Sequence, residues 1–176
     1  MIRQRLLALF ATLAAMASMV LGLAPVAHAA VVDVACVGTT QVNYSPGLKI
    51  QPRSVHFIEN DLYTTCTSSD PTIKTGRTVI SFTTVLSCLQ PLRTGTAPNP
   101  ITWNNGQTSD LLLNYGATFA DGQNILVGNG IVTDGEFQGD SAKVVLTYAQ
   151  PDVTECLSPQ GVTNQIGTAT VTINGS

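Results

Sequence analysis

Charge is scarce in this sequence. Asp, Glu, Lys and Arg make up only 11% of the residues, under half the roughly 25% of an ordinary soluble domain. With the first 30 residues set aside as a leader, six basic residues remain (Lys49, Arg53, Lys74, Arg77, Arg93 and Lys143) against eleven carboxylates. The balance is about −5 and the six cations are scattered, which excludes nucleic acid as a partner, because phosphate recognition needs clustered Lys and Arg. The same scarcity excludes a polybasic membrane anchor.

Other absences are equally informative. His28 lies in the leader, so His56 is the one histidine of the remaining chain, and with no Cys-x-x-Cys pair a zinc site is excluded. No Gly-x-Ser-x-Gly elbow or other nucleophile context accompanies His56, which argues against a Ser-His-Asp centre. From Val31 onward no stretch carries apolar residues at helical spacing over three turns, so the chain predicts less than about a tenth helix. No cofactor is implied.

Residues 1–30 carry an address. Met1–Arg5 is basic, Leu6–Leu23 is apolar with many small residues, and Ala27-His28-Ala29 offers small residues at a cleavage site before Ala30. This pattern is a secretory signal peptide rather than a retained membrane helix. Arg3-Gln4-Arg5 lacks the adjacent pair of a twin-arginine signal, so the general secretory route is expected. The product is a secreted, extracellular domain over residues 31–176 with no stable membrane insertion after the leader is removed.

Four cysteines, Cys36, Cys66, Cys88 and Cys156, all follow the leader. An even count in an exported domain implies two disulfides. Three connectivities are possible. We favour Cys36 with Cys66, tying two early strands, and Cys88 with Cys156, closing the long remainder; on the chain-entropy model these contribute roughly 3.5 and 4.5 kcal/mol.

What fills the rest is alternation. Ala169, Val171 and Ile173 share one face and Thr170 and Thr172 the other, the period of a half-buried strand. Further strand candidates are Val31–Val37, Gln41–Tyr44, Ser54–Ile58, Leu62–Cys66, Thr78–Val85, Pro100–Trp103, Asp110–Phe119, Asn124–Thr133 and Lys143–Tyr148. Turn chemistry falls between them at Ser45-Pro46-Gly47, Asn60-Asp61, Ser69-Asp70-Pro71, Asn104-Asn105-Gly106, Asp121-Gly122 and Asp134-Gly135. Eight to ten short strands read as an antiparallel sandwich or barrel. The low charge and Thr-rich outer faces favour an all-β antiparallel β-sandwich.

Several segments carry a resemblance: Ala35-Cys36-Val37-Gly38-Thr39, Tyr44-Ser45-Pro46-Gly47-Leu48, Trp103-Asn104-Asn105-Gly106-Gln107-Thr108-Ser109, Gly135-Glu136-Phe137-Gln138-Gly139-Asp140 and Cys156-Leu157-Ser158-Pro159-Gln160-Gly161-Val162. Together they resemble a group of small uncharacterised secreted proteins of Streptomyces and related actinobacteria, over essentially the whole exported part. The resemblance implies an exported immunoglobulin-like β fold and a bacterial source, and it implies no activity. The Thr, Gly and Ala bias is also similar to that of the small chromophore-carrying apoproteins typified by neocarzinostatin. Their disulfides close short loops, whereas the nearest cysteines here are Cys66 and Cys88, and the framework departs from theirs.

Two candidate sites stand out. Trp103, with Asn104 and Asn105 at a strand end, could stack on a sugar ring with Tyr44, Tyr63, Tyr115 or Tyr148 as partners, although a lone Trp in a sandwich more often packs against a disulfide. Asp134, Glu136 and Asp140, with Gln138 between, place oxygens at alternate positions that could wrap calcium; the bland reading is an Asp-Gly turn. The expected function is a non-enzymatic extracellular module binding a glycan or a cell-surface protein. The rival is a secreted hydrolase of extracellular polysaccharide, which would set a carboxylate pair in a cleft. A third reading, a protease inhibitor, would use the segment around Cys88–Pro91.

Overall fold

The computed structural model describes residues 31–175; the signal-peptide reading of residues 1–30 lies outside them. Eight strands follow one another: β1 (Val32–Leu48), β2 (Arg53–Ser68), β3 (Gly76–Leu86), β4 (Gly95–Trp103), β5 (Thr108–Ala120), β6 (Gln123–Gly135), β7 (Ser141–Ala149) and β8 (Val162–Asn174). A five-residue helix, α1 (Val153–Leu157), interrupts the last connection. Each strand pairs antiparallel with the next, and β8 returns to pair with β1, so the sheet closes into an eight-stranded barrel. The immunoglobulin-like sandwich expected from the sequence is therefore incorrect. Alternation states which face of a strand is buried but not what covers it; here the cover is the opposite wall of the same sheet, fixed by the long-range ladder from Val34 against Ile173 to Asn43 against Asn164.

The strands are longer and fewer than the sequence suggests. Val31–Val37 and Gln41–Tyr44 fuse into β1, and Ser54–Ile58 and Leu62–Cys66 fuse into β2. The ladder between them slips once, at Val37/Gly38. There Thr64 is the extra residue, and both Tyr63 and Cys66 face inward on either side of it, as a bulge requires. Gly38 is essential to this close approach, because a Cβ at that position would lie 1.8 Å from the carbonyl oxygen of Leu62.

The turns after β1, β3, β5 and β7 define one end of the barrel, here called upper. The lower half is filled by apolar side chains, with Trp103, Ile101, Leu111, Val171 and Ile173 all buried. The favoured disulfides are the ones that form. Cys36–Cys66 joins directly opposed residues of β1 and β2 near the lower end. Cys88–Cys156 joins the β3–β4 connection to α1 across the upper end, and the amide of Cys88 donates to the carbonyl of Lys49 in the β1–β2 turn at 2.8 Å. The wall has one weak seam. β3 and β4 pair only at Gly76 with Trp103 and Arg77 with Thr102; above that point the segment Pro91–Thr94 lies across the gap.

The two disulfides make unequal demands. Cys36–Cys66 reinforces a ladder that already exists, whereas Cys88–Cys156 holds two connections that share no ladder and closes a separation of 68 residues. Replacing Cys88 and Cys156 together by Ser is expected to lower the unfolding free energy by about 4 kcal/mol. Urea titration of the double variant checks this, and a loss below about 1 kcal/mol would contradict the upper link's role.

Candidate functional site: a carboxyl pair inside the barrel

β2 carries its inward set as Val55, Phe57, Glu59, Asp61 and Tyr63, all buried. Strict period-two geometry sends alternate side chains to one face, so two carboxylates enter the barrel in phase with the apolar residues around them. Asn60-Asp61 is thus mid-strand and not a turn; Asp61 is fully buried. Cross-strand pairing sets Asp61 between Thr40 of β1 and Thr78 of β3, and Glu59 between Val42 and Ile80. The next row upward is Tyr44, Phe57 and Phe82, with the two phenylalanine rings edge to face and 4.0 Å between centroids.

Hydroxyls and amides from the other walls gather on these acids. Tyr148 donates to Oε2 of Glu59 at 3.1 Å and shares a 2.9 Å hydrogen bond with Thr40. Tyr44 donates to Oε1 of Gln165 at 2.9 Å. Asn99 donates to the hydroxyl oxygen of Tyr115 at 2.8 Å and accepts a longer bond from Thr78. Both oxygens of Asp61 and the hydroxyl of Tyr63 are buried without a well-formed hydrogen bond, the nearest hydroxyls being those of Thr40 and Thr78.

Burial, followed by the neighbouring charge of Asp61, pushes Glu59 up to about 8, against the partial relief of the Tyr148 hydrogen bond. Burial pushes Asp61 up to about 6; the nearby Thr40 hydroxyl, engaged with Tyr148, offsets only part of this. Near neutral pH the coupled pair therefore keeps one of its two protons. Burial also raises the hydroxyls of Tyr44 and Tyr115, with the Glu59 charge adding to it.

Above Glu59 lies a cavity of about 50 Å³. Its walls include Val42, Phe57, Ile80, Phe82 and Leu126, and its polar residues are Glu59, Tyr44, Tyr115, Arg93 and Thr94. The strap Pro91–Thr94 borders its mouth at the β3–β4 seam, with the Arg93 guanidinium 4.5 Å above the Phe82 ring. On the outer side of the strap, exposed Val85, Leu89 and Phe119 border a second depression.

The residues singled out from the sequence lie elsewhere. Trp103 is buried in the lower core, donating from Nε1 to Ser109 at 2.9 Å, edge to face with Phe137. Its ring rests on Gly76, where a Cβ would come within 2.7 Å. It offers no exposed face to a sugar. Asn104 is occupied in bracing the β2–β3 connection, accepting from the amides of Lys74 and Thr75, and Asn105 bonds Thr72 and Gln107. The four tyrosines named as stacking partners all point into the barrel.

Asp134, Glu136 and Asp140 do not converge. Positive φ angles at Gly135, Phe137 and Gly139 reverse the backbone repeatedly, Glu136 accepts from Gln107 at 2.6 Å, and among the described residues no three His, Cys, Asp or Glu side chains gather as a metal site. His56 is on the outer face beside Ser81 and Thr83. The sequence did contain a signal for the interior pair: the run Val55, Phe57, Glu59, Asp61, Tyr63 keeps one phase throughout, provided that Asn60-Asp61 is not assigned to a turn.

No family model, curated protein or solved structure matches the chain.

The raised carboxyls predict a pH dependence of stability. A carboxyl held above its unfolded value keeps its proton in the folded barrel while the unfolded chain loses it, so stability falls as pH rises. For Asp61 the fall spans about pH 4 to 6 and for Glu59 about pH 4.5 to 8. Glu59→Gln is expected to flatten this decline and to raise the thermal midpoint at pH 8 by roughly 5–10 °C relative to wild type. Midpoints recorded from pH 4 to 8.5 check it; an unchanged slope in Glu59→Gln would contradict the assignment.

Proposed function

We propose that the domain is an extracellular binding module that takes a small, largely apolar molecule into the upper half of its barrel. The observation that carries this reading is the cavity above Glu59, walled mainly by aliphatic and aromatic side chains, with Glu59, Tyr44, Tyr115, Arg93 and Thr94 as its polar residues. Such an apolar recess with a few convergent polar groups is the usual form of a small-molecule site. The leader pattern and the two disulfides support export to an oxidising compartment.

Entry is through the seam. Pro91–Thr94 makes none of the backbone bonds that fix Ser87, Cys88 and Gln90 beside it. Its hold is the burial of Pro91, the partial burial of Leu92 and the contact of Arg93 with Phe82, an attachment worth on the order of 2–4 kcal/mol. Swinging the strap outward joins the cavity to the apolar depression bordered by Val85 and Phe119 and admits a ligand larger than the closed volume.

The polysaccharide-hydrolase alternative gains a buried carboxyl pair from the same residues, but the pair sits in the barrel interior below a small, mainly apolar recess of about 50 Å³ and not along a groove that a sugar chain could follow. The glycan-binding version loses its aromatic platform with Trp103 in the core. Both arguments favour a small apolar ligand.

Toluene is a suitable probe. Titrated into labelled protein, it is expected to shift the amide resonances of Phe82, Gly95 and Ala97 with a submillimolar Kd. Ala97→Phe, which fills the cavity from β4, is expected to weaken binding by at least about tenfold, or roughly 1.4 kcal/mol, with the thermal midpoint within a few degrees of wild type. Shifts confined to other parts of the barrel, or equal binding by a folded Ala97→Phe protein, would overturn the proposal.

A further inference from the structure

We infer that the cavity receives an organic cation, a primary ammonium on a small apolar body, with the Glu59 carboxylate as its counter-ion and the Phe57 and Phe82 rings as its walls. The inference rests on the proposed binding role of this cavity and names the ligand's charge.

The first support is an imbalance of charge. Glu59 and Asp61 are both buried, and among the described residues the one cation near them is Arg93, on the exposed strap at the cavity mouth. Asp61 has only the Thr40 hydroxyl to draw on, and that hydroxyl is shared with Tyr148. A buried carboxyl without a base is expensive, and natural interiors pair such groups or neutralise them with a proton. The groups acting on Glu59 are Asp61 and Tyr63 on its own strand, Tyr44 on β1, Tyr115 on β5 and Tyr148 on β7, none of them cationic, with Arg93 of the strap at the mouth of the same cavity. Arg93 lies on the Phe82 ring, so no cation of the described residues is paired with Glu59, and an anionic ligand would add a third acid.

The second support is the wall. Phe57 and Phe82 meet edge to face beside Glu59, with the rings of Tyr44 and Tyr115 also lining the space. Aromatic faces around a cation are the recurrent solution for ammonium recognition. Phe82 already serves in this way: the guanidinium of Arg93, the only basic group lining the cavity, lies 4.5 Å over its ring. The closed strap thus seats a cation of the chain itself at the mouth, and an incoming ammonium displaces it as the strap swings out.

Proton balance follows from this arrangement. Near neutral pH Glu59 holds a proton, so binding of R–NH3+ expels that proton to the buffer and leaves an ammonium–carboxylate pair; no other bond is made or broken. Affinity for an ammonium therefore rises with pH toward 8, whereas that for a neutral molecule of the same shape does not.

The test compares benzylammonium with benzyl alcohol, which matches it in size, by calorimetry at pH 7 in two buffers of different ionisation enthalpy. The wild type is expected to bind benzylammonium about tenfold or more tightly than benzyl alcohol, with release of close to one proton. Glu59→Gln is expected to bind both ligands equally and to release none. Arg93→Gln, on the exposed strap, is expected to widen the ammonium preference by about threefold, because the resident cation is gone. Equal affinities in the wild type, a preference for the alcohol, or an ammonium preference that survives Glu59→Gln would overturn the inference. If the wild type binds toluene and benzyl alcohol without favouring the ammonium, the cavity remains a binding site and only its charge assignment falls.

Discussion

The ladder between β8 and β1 is the constraint on which the rest depends. Without it the eight strands would form an open meander with two unpaired edges and one face needing a separate cover. With it, every inward side chain faces another inward side chain, from Val34 and Ile173 near one end to Val42 and Gln165 near the other. An eight-stranded ring encloses a space just wide enough for side chains to fill. The lower half is filled that way, with Trp103 as its largest member. The upper half is not, and the difference arises from what β2 carries inward: two acids where aliphatic residues would close the packing.

Those acids explain features that otherwise look unrelated. Tyr148, Thr40, Asn99 and Tyr115 reach the same chamber from β7, β1, β4 and β5 and exchange hydrogen bonds there. Yet the network is strained for partners, because Asp61 and Tyr63 have only the hydroxyls of Thr40 and Thr78 within reach and form no well-made hydrogen bond with them. A half-satisfied polar interior is a poor choice for stability alone. It suits the proposed binding role, in which a ligand would complete those interactions and enter by way of the strap over the β3–β4 seam. The Cys88–Cys156 link and the Cys88 amide bond to Lys49 fix the upper end on either side of that strap.

Much of this was legible in the chain, and the misreadings have physical causes. The all-β class follows from alternation, and the pairing favoured among three possible connectivities is the one that forms. Closure did not, because a sandwich strand and a barrel strand bury one face with the same period, and only the partner of β8 distinguishes them. Asn60-Asp61 has the residue types of a turn, although the phase from Val55 to Tyr63 runs through it unbroken, and a turn there hides the interior carboxyl pair. Trp103 drew attention as a potential platform because an indole beside two asparagines suits both a binding rim and a capped strand end. The structure has the second arrangement, with Asn104 bracing the neighbouring connection over a buried ring. The oxygens of Asp134 to Asp140 alternate in sequence, but the left-handed residues between them destroy the alternation in space.

The central claim is that two carboxyls lie unpaired by any base inside the barrel and share a proton at neutral pH. Carbon-13 NMR titration of the side-chain carboxyls tests it directly, with Glu59 and Asp61 assigned through Glu59→Gln and Asp61→Asn. The account predicts one carboxyl titrating near 8 and the other near 6. Two titrations in the ordinary range of about 4 would contradict it, and would mean that the chamber is open to water and carries no need for a partner charge.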